Sequence, residues 1–330
     1  MSQSFNAFVV NKSDAGFSAG IQQFTLDDLP AGDVTVRVQY SSVNFKDGLA
    51  CIPESPVVSS YPMVPGIDLA GVVTESNDPR FTAGQEVIAI GRQLGIGYFG
   101  GYAEFARFPG GWLEPLPSGL TLKEAMALGT AGFTAALAIQ RLEENGLRPG
   151  NGRVLVTGAT GGVGSVAVSM LAGLGYEVSA STGKADEHDF LRKLGATEIL
   201  SREEVSAESP APVEAERWAG SVDPVGGDTI AYLLRTTSYG GSIATCGLTG
   251  GRTFCTTMLP FIVRGVNVLG IDSVMCPADV RAKLWQRLGT DLKPNYLTDS
   301  ISREIGLDGI PATIGGILGG AIKGRTIVRL

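Results

Sequence analysis

Gly158-Ala159-Thr160-Gly161-Gly162-Val163-Gly164 follows directly on the apolar run Val154-Leu155-Val156-Thr157. A glycine turn between a buried strand and a helix start lets an anion approach backbone N–H groups without Cβ obstruction, and the helix dipole favours its charge. Gly158, Gly161 and Gly164 stand at G-x-x-G-x-x-G spacing rather than the commoner G-x-G-x-x-G. The strand–loop–helix context that gives such glycines meaning is present; the competing reading is a tight turn without a ligand. If the anion is a pyrophosphate, Thr160, Gly161, Gly162 and Val163 are the residues expected to meet it.

About twenty residues further on, a sheet that binds NAD carries an Asp or Glu for the ribose 2′-hydroxyl. Here the corresponding run ends in Ser181-Thr182-Gly183-Lys184, without a carboxylate. Two hydroxyls and an ammonium suit a 2′-phosphate instead. Arg202, just beyond the next strand-like run ATEILS, could add a second cation. The expected cofactor is therefore NADPH rather than NADH. A solvated Lys184 that merely caps the next helix is the competing reading.

Residues for other kinds of site are scarce. The single histidine, His188, removes any centre that needs two. Cys51, Cys246, Cys255 and Cys276 form no C-x-x-C pair, so neither a zinc ribbon nor a disulfide framework is expected. Lys plus Arg number 26 against 33 Asp plus Glu, a net charge of −7. That balance argues against nucleic acid or an anionic membrane as the general partner, though basic residues could still gather around one anionic ligand. Val154 to Tyr176 is uncharged and long enough to span a bilayer. Its six glycines make a strand, a turn and a buried helix the expected reading. The opening MSQSFNAFVVNKSD lacks the shape of a secretory leader, so a cytoplasmic setting is expected.

The elements that must position these residues fall into two kinds. The first ~115 residues read as strand and loop: VTVRVQYSSVNF alternates apolar and polar residues, and AGVVTES and EVIAIG are short β-rich runs among turn formers. From Leu116 the character changes, with Ser118 or Thr121 as candidate N-caps of a long helix. From Arg153 strand and helix patterns alternate, which indicates a parallel sheet covered on both faces. SAESPAPVEAE, within 204–219, reads as loop.

Several motifs together resemble the medium-chain dehydrogenase/reductase superfamily. VNFKD (43–47), VPGIDLAGVV (64–73), FTAGQEVIAIG (81–91), GTAGFTA (129–135), VTGATGGVG (156–164), VDPVGG (222–227) and the terminal GRTIVRL carry the likeness. It implies an α/β protein: a GroES-like β-barrel domain over 1–119, completed by 266–330, and a Rossmann domain with a doubly wound parallel sheet over 120–265. The zinc branch has a cysteine where Asn44 stands and a Gly-His-Glu where Gly66-Ile67-Asp68 stands. Ile67 cannot bind zinc, so no metal is expected. Zinc-free members reduce an activated carbon–carbon double bond instead. LPFIVRGVNVLGIDS (259–273) is similar to the YhdH/YhfP subgroup, which implies an NADPH-dependent acryloyl-CoA reductase. A quinone or 2-enal reductase and a non-catalytic NADPH-binding protein are the alternatives.

The resemblance also assigns residues. Asn44 is expected to donate to the substrate or the nicotinamide ribose, unless its amide only satisfies a turn. Asp68 is a second catalytic candidate, or a buried structural carboxylate. Tyr98, in GIGYFGGY, is a candidate proton donor, and Lys46 with Asp47 a candidate positioning pair. Phe45, Leu248, Val263 and Ser273 are expected near the nicotinamide, while Arg325 either reaches the bound ligands or stays in solvent. Arg92, Arg107 and Arg264 are candidates for a basic lip that meets an acyl-CoA. VNVLGID is expected to pair with its copy in a homodimer.

Overall fold

The computed structural model describes residues 4–14 and 16–330; Met1–Gln3, the head of the segment read for a leader, lie outside the described residues. Two compact units are present, 1–130 with 301–330, and 131–300.

In the first unit, β1 (Ser4–Ser13) and β2 (Gly16–Thr25) form an antiparallel pair with Ser4 opposite Thr25. There follow β3 (Val34–Val43), the short helix α1 (Phe45–Ala50), β4 (Asp68–Ser76), β5 (Glu86–Ile90), β6 (Phe105–Phe108) and β7 (Glu114–Pro115). Val34, Val36 and Val38 share one face of β3 and bury it against Leu69, Val73 and Val87, as the alternation predicts. Helix α2 (Leu122–Glu144) starts after Thr121, whose hydroxyl accepts from the Glu124 N–H at 3.2 Å while the Glu124 carboxylate accepts from the Thr121 N–H at 2.9 Å. Thr121, not Ser118, is thus the cap. Although α2 is long and apolar enough to cross a membrane, 83% of its apolar window is buried, as in a core helix. The helix breaks at Gly129, where φ is 51° and ψ −156°.

The second unit alternates β8 (Val154–Val156), α3 (Gly162–Gly173), β9 (Val178–Thr182), α4 (His188–Lys193), β10 (Ala196–Ser201), β11 (Trp218–Asp223), α5 (Asp228–Thr236), β12 (Thr237–Thr245), α6 (Leu259–Arg264), β13 (Asn267–Gly270) and α7 (Ala278–Leu288). All six strands are parallel, in the order β10-β9-β8-β11-β12-β13. Counted from β8 this is 3-2-1-4-5-6, the doubly wound arrangement, whose ligand crevice lies beyond the carboxyl ends of the strands at the switch point. Val154, Leu155 and Val156 are fully buried, each worth roughly 1.5–3 kcal/mol of burial. The uncharged run 154–176 is therefore a strand, a turn and a buried helix. Residues 207–217 carry no regular element, as read.

The chain returns to the first unit through β14 (Ser302–Ile305), α8 (Ile310–Leu318) and β15 (Arg325–Arg329). β15 runs antiparallel to β3, with Thr326 opposite Val43, in a sheet ordered β14-β15-β3-β4-β5-β7. The second unit runs to Ser300, and β13 adds to the edge of its parallel sheet by pairing with β12.

Candidate active site

The glycine turn after β8 is built by exclusion. A Cβ on Gly164 would sit 2.4 Å from the Gly158 carbonyl oxygen, and one on Gly158 (φ 52°) would meet Val225 at 3.0 Å. Helix α3 therefore rests directly on the turn, and Gly161 before it offers no side chain to cap its first N–H groups. Asp223, at the carboxyl end of β11, fixes the surroundings. Its buried carboxylate accepts from Thr157 Oγ1 at 2.5 Å, from the Gly226 N–H at 2.9 Å and from Thr245 Oγ1 at 3.3 Å. One side chain thus ties together the ends of β8, β11 and β12, and burial pushes its carboxyl above the usual carboxylate range. The motif VDPVGG alone does not reveal this role; an acid at a strand end before a Pro-x-Gly-Gly turn is its sequence signal.

At the end of β9, Thr160 Oγ1 and Thr182 Oγ1 stand 3.2 Å apart, and Thr182 Oγ1 accepts from the Lys184 N–H at 3.1 Å. The Arg202 guanidinium lies against Gly183, where an added Cβ would come within 3.0 Å of it. Arg202 is exposed, and among the described residues no carboxylate forms an ion pair with it. An uncapped helix start, two threonine hydroxyls and a guanidinium, with no acid at the end of β9, fit a dinucleotide carrying an additional phosphate. Ser181 departs from its expected role: its side chain is buried and its hydroxyl donates to the Ser201 carbonyl at 3.3 Å. Lys184 also stands at the N-cap position of the turn Ala185–Glu187, half-buried and with no side-chain cap hydrogen bond.

Leu248 and Val263 are half-exposed at 54% and 50%. Ser273 is held from inside, its hydroxyl accepting from Thr134 Oγ1 at 2.9 Å and its carbonyl from the buried Arg281 at 3.0 Å. Burial pushes the Cys246 thiol up to about 12, and its Sγ lies 3.7 Å from the Asp223 carbonyl oxygen.

The first unit holds a buried polar cluster. Asp68 opens β4, and its carboxylate accepts from Ser42 Oγ at 2.6 Å, Asn44 Nδ2 at 2.8 Å, the Thr130 N–H at 2.9 Å and the Thr130 hydroxyl. Arg325 of β15 donates to the Ala127 carbonyl at 3.1 Å, the Val43 carbonyl at 3.2 Å, Asn44 Oδ1 at 3.0 Å and Ser42 Oγ at 2.7 Å. The two ends of the Asn44 amide are therefore gripped by opposite charges, and among the described residues the other contact of Nδ2 is a long one to Ser42 Oγ at 3.5 Å. Asp47 lies in the same region: its carboxylate accepts from the N–H groups of Asn44, Gly66 and Ile67.

Four expectations are corrected here. Arg325 is 2% exposed with its donors engaged by the protein, so it neither reaches a ligand nor stays in solvent. Tyr98 does not join the Asn44 cluster. Its hydroxyl donates to the Ala31 carbonyl, and its ring packs edge-on against Trp112 at 5.2 Å, within the apolar cluster of β3 and β5. Lys46 makes no ion pair with Asp47, whose carboxylate is bonded to backbone N–H groups. Phe45, the first residue of α1, is 38% exposed. Arg264 donates to the carbonyls of Arg235 and Glu214, which takes it out of a basic lip. Among the described residues no group of three or more His, Cys, Asp or Glu side chains is placed to hold a metal ion.

Comparison with known proteins agrees with this architecture. Residues 30–118 match the alcohol dehydrogenase GroES-like domain and 162–290 the zinc-binding dehydrogenase family. YhfP of Bacillus subtilis, provisionally named a quinone oxidoreductase, is 51% identical over the full length of both chains, and its structure with NAD bound has a TM-score of 0.97. The acrylyl-CoA reductase AcuI of Ruegeria pomeroyi is 48% identical over 98% of each chain. The yhdH oxidoreductase of Salmonella enterica, solved in complex with NADP, is 46% identical over 98% of this chain and 99% of that one, with a TM-score of 0.95. The fold, the glycine turn and these full-length likenesses together establish that the chain belongs to the medium-chain dehydrogenase/reductase superfamily, in the group of YhfP, AcuI and YhdH.

Proposed function

We propose that this protein is an NADPH-dependent oxidoreductase that reduces the 2,3 double bond of acryloyl-CoA to give propanoyl-CoA, as a cytoplasmic homodimer. The observation that carries the cofactor is the Arg202 guanidinium laid against Gly183 at an end of β9 that has no acid. The 48% identity to AcuI supports the acyl-CoA as substrate. Bound NADPH supplies the hydride. The thioester makes Cβ of acryloyl-CoA electrophilic, hydride addition there places negative charge on the thioester oxygen, and a proton at Cα completes propanoyl-CoA.

The chain's own residues bind and orient. The α3 N–H groups, Thr160 and Gly161 would hold the pyrophosphate, and Thr182, Lys184 and Arg202 would hold the 2′-phosphate. In the first unit the Asn44 amide is a fixed donor, because Asp68 and Arg325 set its orientation before any ligand arrives. A preorganised donor costs no reorientation when charge develops. The open edge of β13, flanked by exposed Met258, Ile262, Val263 and Met275, supports pairing with a second copy.

NADPH carrying deuterium at the transferred C4 position tests the reaction. Propanoyl-CoA labelled at C3 is expected; label at C2, or no propanoyl-CoA, contradicts it. The quinone alternative is favoured by the name that YhfP carries, and it predicts preferred turnover of a quinone.

A further inference from the structure

The Asp47 carboxylate has no task in the reaction above, and its bonds join two separate stretches of chain. Oδ2 accepts from the Asn44 N–H at 2.8 Å; Oδ1 accepts from the Ile67 N–H at 2.9 Å and the Gly66 N–H at 3.2 Å. One stretch ends β3 and carries Asn44, while the other leads directly into Asp68. The second is shaped to receive the carboxylate: Gly66 has φ 99°, and a Cβ there would lie 2.7 Å from the Tyr102 ring. Asp47 is wholly buried.

We propose that Asp47 is a positioning residue for the Asn44–Asp68 pair, its ionised carboxylate stapling the Asn44 turn to the Gly66–Ile67 turn. The proposal rests on the reading of Asn44 as the donor that meets the ligand. Three N–H groups converge on two oxygens, so only the ionised form accepts all three without one oxygen becoming a donor. The charged groups around it are Asp68 of β4 and Arg325 of β15, with Tyr102 and Cys51 the other titratable neighbours. Burial first, and then the charge of Asp68, push the Asp47 carboxyl up to about 7 against the lowering effect of its hydrogen bonds. Protonation below that pH loosens the staple, and the orientation of Asn44 with it.

Two measurements test this. In the intact wild-type protein the amide resonances of Asn44, Gly66 and Ile67 should titrate together with one midpoint near 7. Amide shifts that stay flat, or that titrate with unrelated midpoints, overturn the staple whatever the substrate proves to be. In Asp47→Asn, kcat for acryloyl-CoA should fall about tenfold with the KM for NADPH within about twofold, on the scale of one charged hydrogen bond. The acid limb of kcat near 7 should vanish. An acid limb kept in the variant, or wild-type kcat at every pH, also overturns the proposal. Failure of the wild type to reduce any enoyl-CoA would instead count against the proposed reaction, with the amide titration still deciding the staple.

Discussion

The Arg325 guanidinium lies 3.7 Å from the Asp68 carboxylate, and both side chains are almost completely excluded from solvent. Between them they cap the two segments of a broken helix. Asp68 accepts from the N–H and hydroxyl of Thr130, which follows the break, and Arg325 donates to the carbonyl of Ala127, which precedes it. A carboxylate at a helix start and a cation at a helix end each complement the local dipole. The same pair grips the Asn44 amide, so the helix break and the candidate donor share one support.

Arg325→Met leaves Asp68 buried without its counter-charge and should cost about 3–5 kcal/mol. Arg325→Lys should recover less than half of that, because one ammonium cannot reach the Ala127 and Val43 carbonyls, Asn44 and Ser42 together. Urea unfolding of the two variants measures this; a Met variant within about 1 kcal/mol of wild type contradicts the role.

Gly129→Ala should destabilise by at least ~2 kcal/mol, since positive φ disfavours a Cβ. That Cβ would also lie 2.4 Å from the Asp68 carboxylate and 2.7 Å from the Arg325 guanidinium. Gly315→Ala is the control: it lies in α8 with nothing within 4 Å of an added Cβ. A gain of about 0.4–1 kcal/mol is expected there. Equal effects at the two glycines would contradict the packing argument.

Arg202→Ala and Lys184→Ala should each raise the KM for NADPH by roughly tenfold or more, the scale of a hydrogen bond to a charged group. The KM for NADH should move less than twofold. Parallel loss with both cofactors would place these residues away from the 2′-phosphate.

Asp47 gives stability a pH dependence of definite sign. Its folded pKa of about 7 lies above the unfolded value, so the folded state holds the proton more tightly. Protonation gives up the staple but relieves a buried charge, which is the larger effect, so the contribution to stability is full below about pH 4 and is lost as pH rises through 7, on the order of 4 kcal/mol in all. Asp47→Asn should flatten that slope in thermal melts across the window. A slope unchanged in the variant assigns it to other groups.

The parallel sheet was legible because each strand and helix repeats locally: the run from Val154 to Tyr176 already holds β8, the turn and α3. The end of β9 was legible for the same reason, since Thr182 and Lys184 follow the glycine turn at a fixed distance. The buried cluster was not. Arg325 meets Asn44 across 281 residues, and no local pattern separates an arginine that crosses a core from one in water. The break at Gly129 hides within a run of good helix formers. Tyr98 sits among glycines that suggest an open loop, yet Trp112 and Phe108 close over it. Asp47 was seen beside Lys46 in sequence, while its partners come from a turn about twenty residues away.

NADPH oxidation with acryloyl-CoA, crotonyl-CoA and a simple quinone, measured side by side under one set of conditions, decides which substrate the enzyme reduces. Acryloyl-CoA should give the highest kcat/KM, with propanoyl-CoA as product. A kcat/KM for the quinone above that for acryloyl-CoA would contradict it.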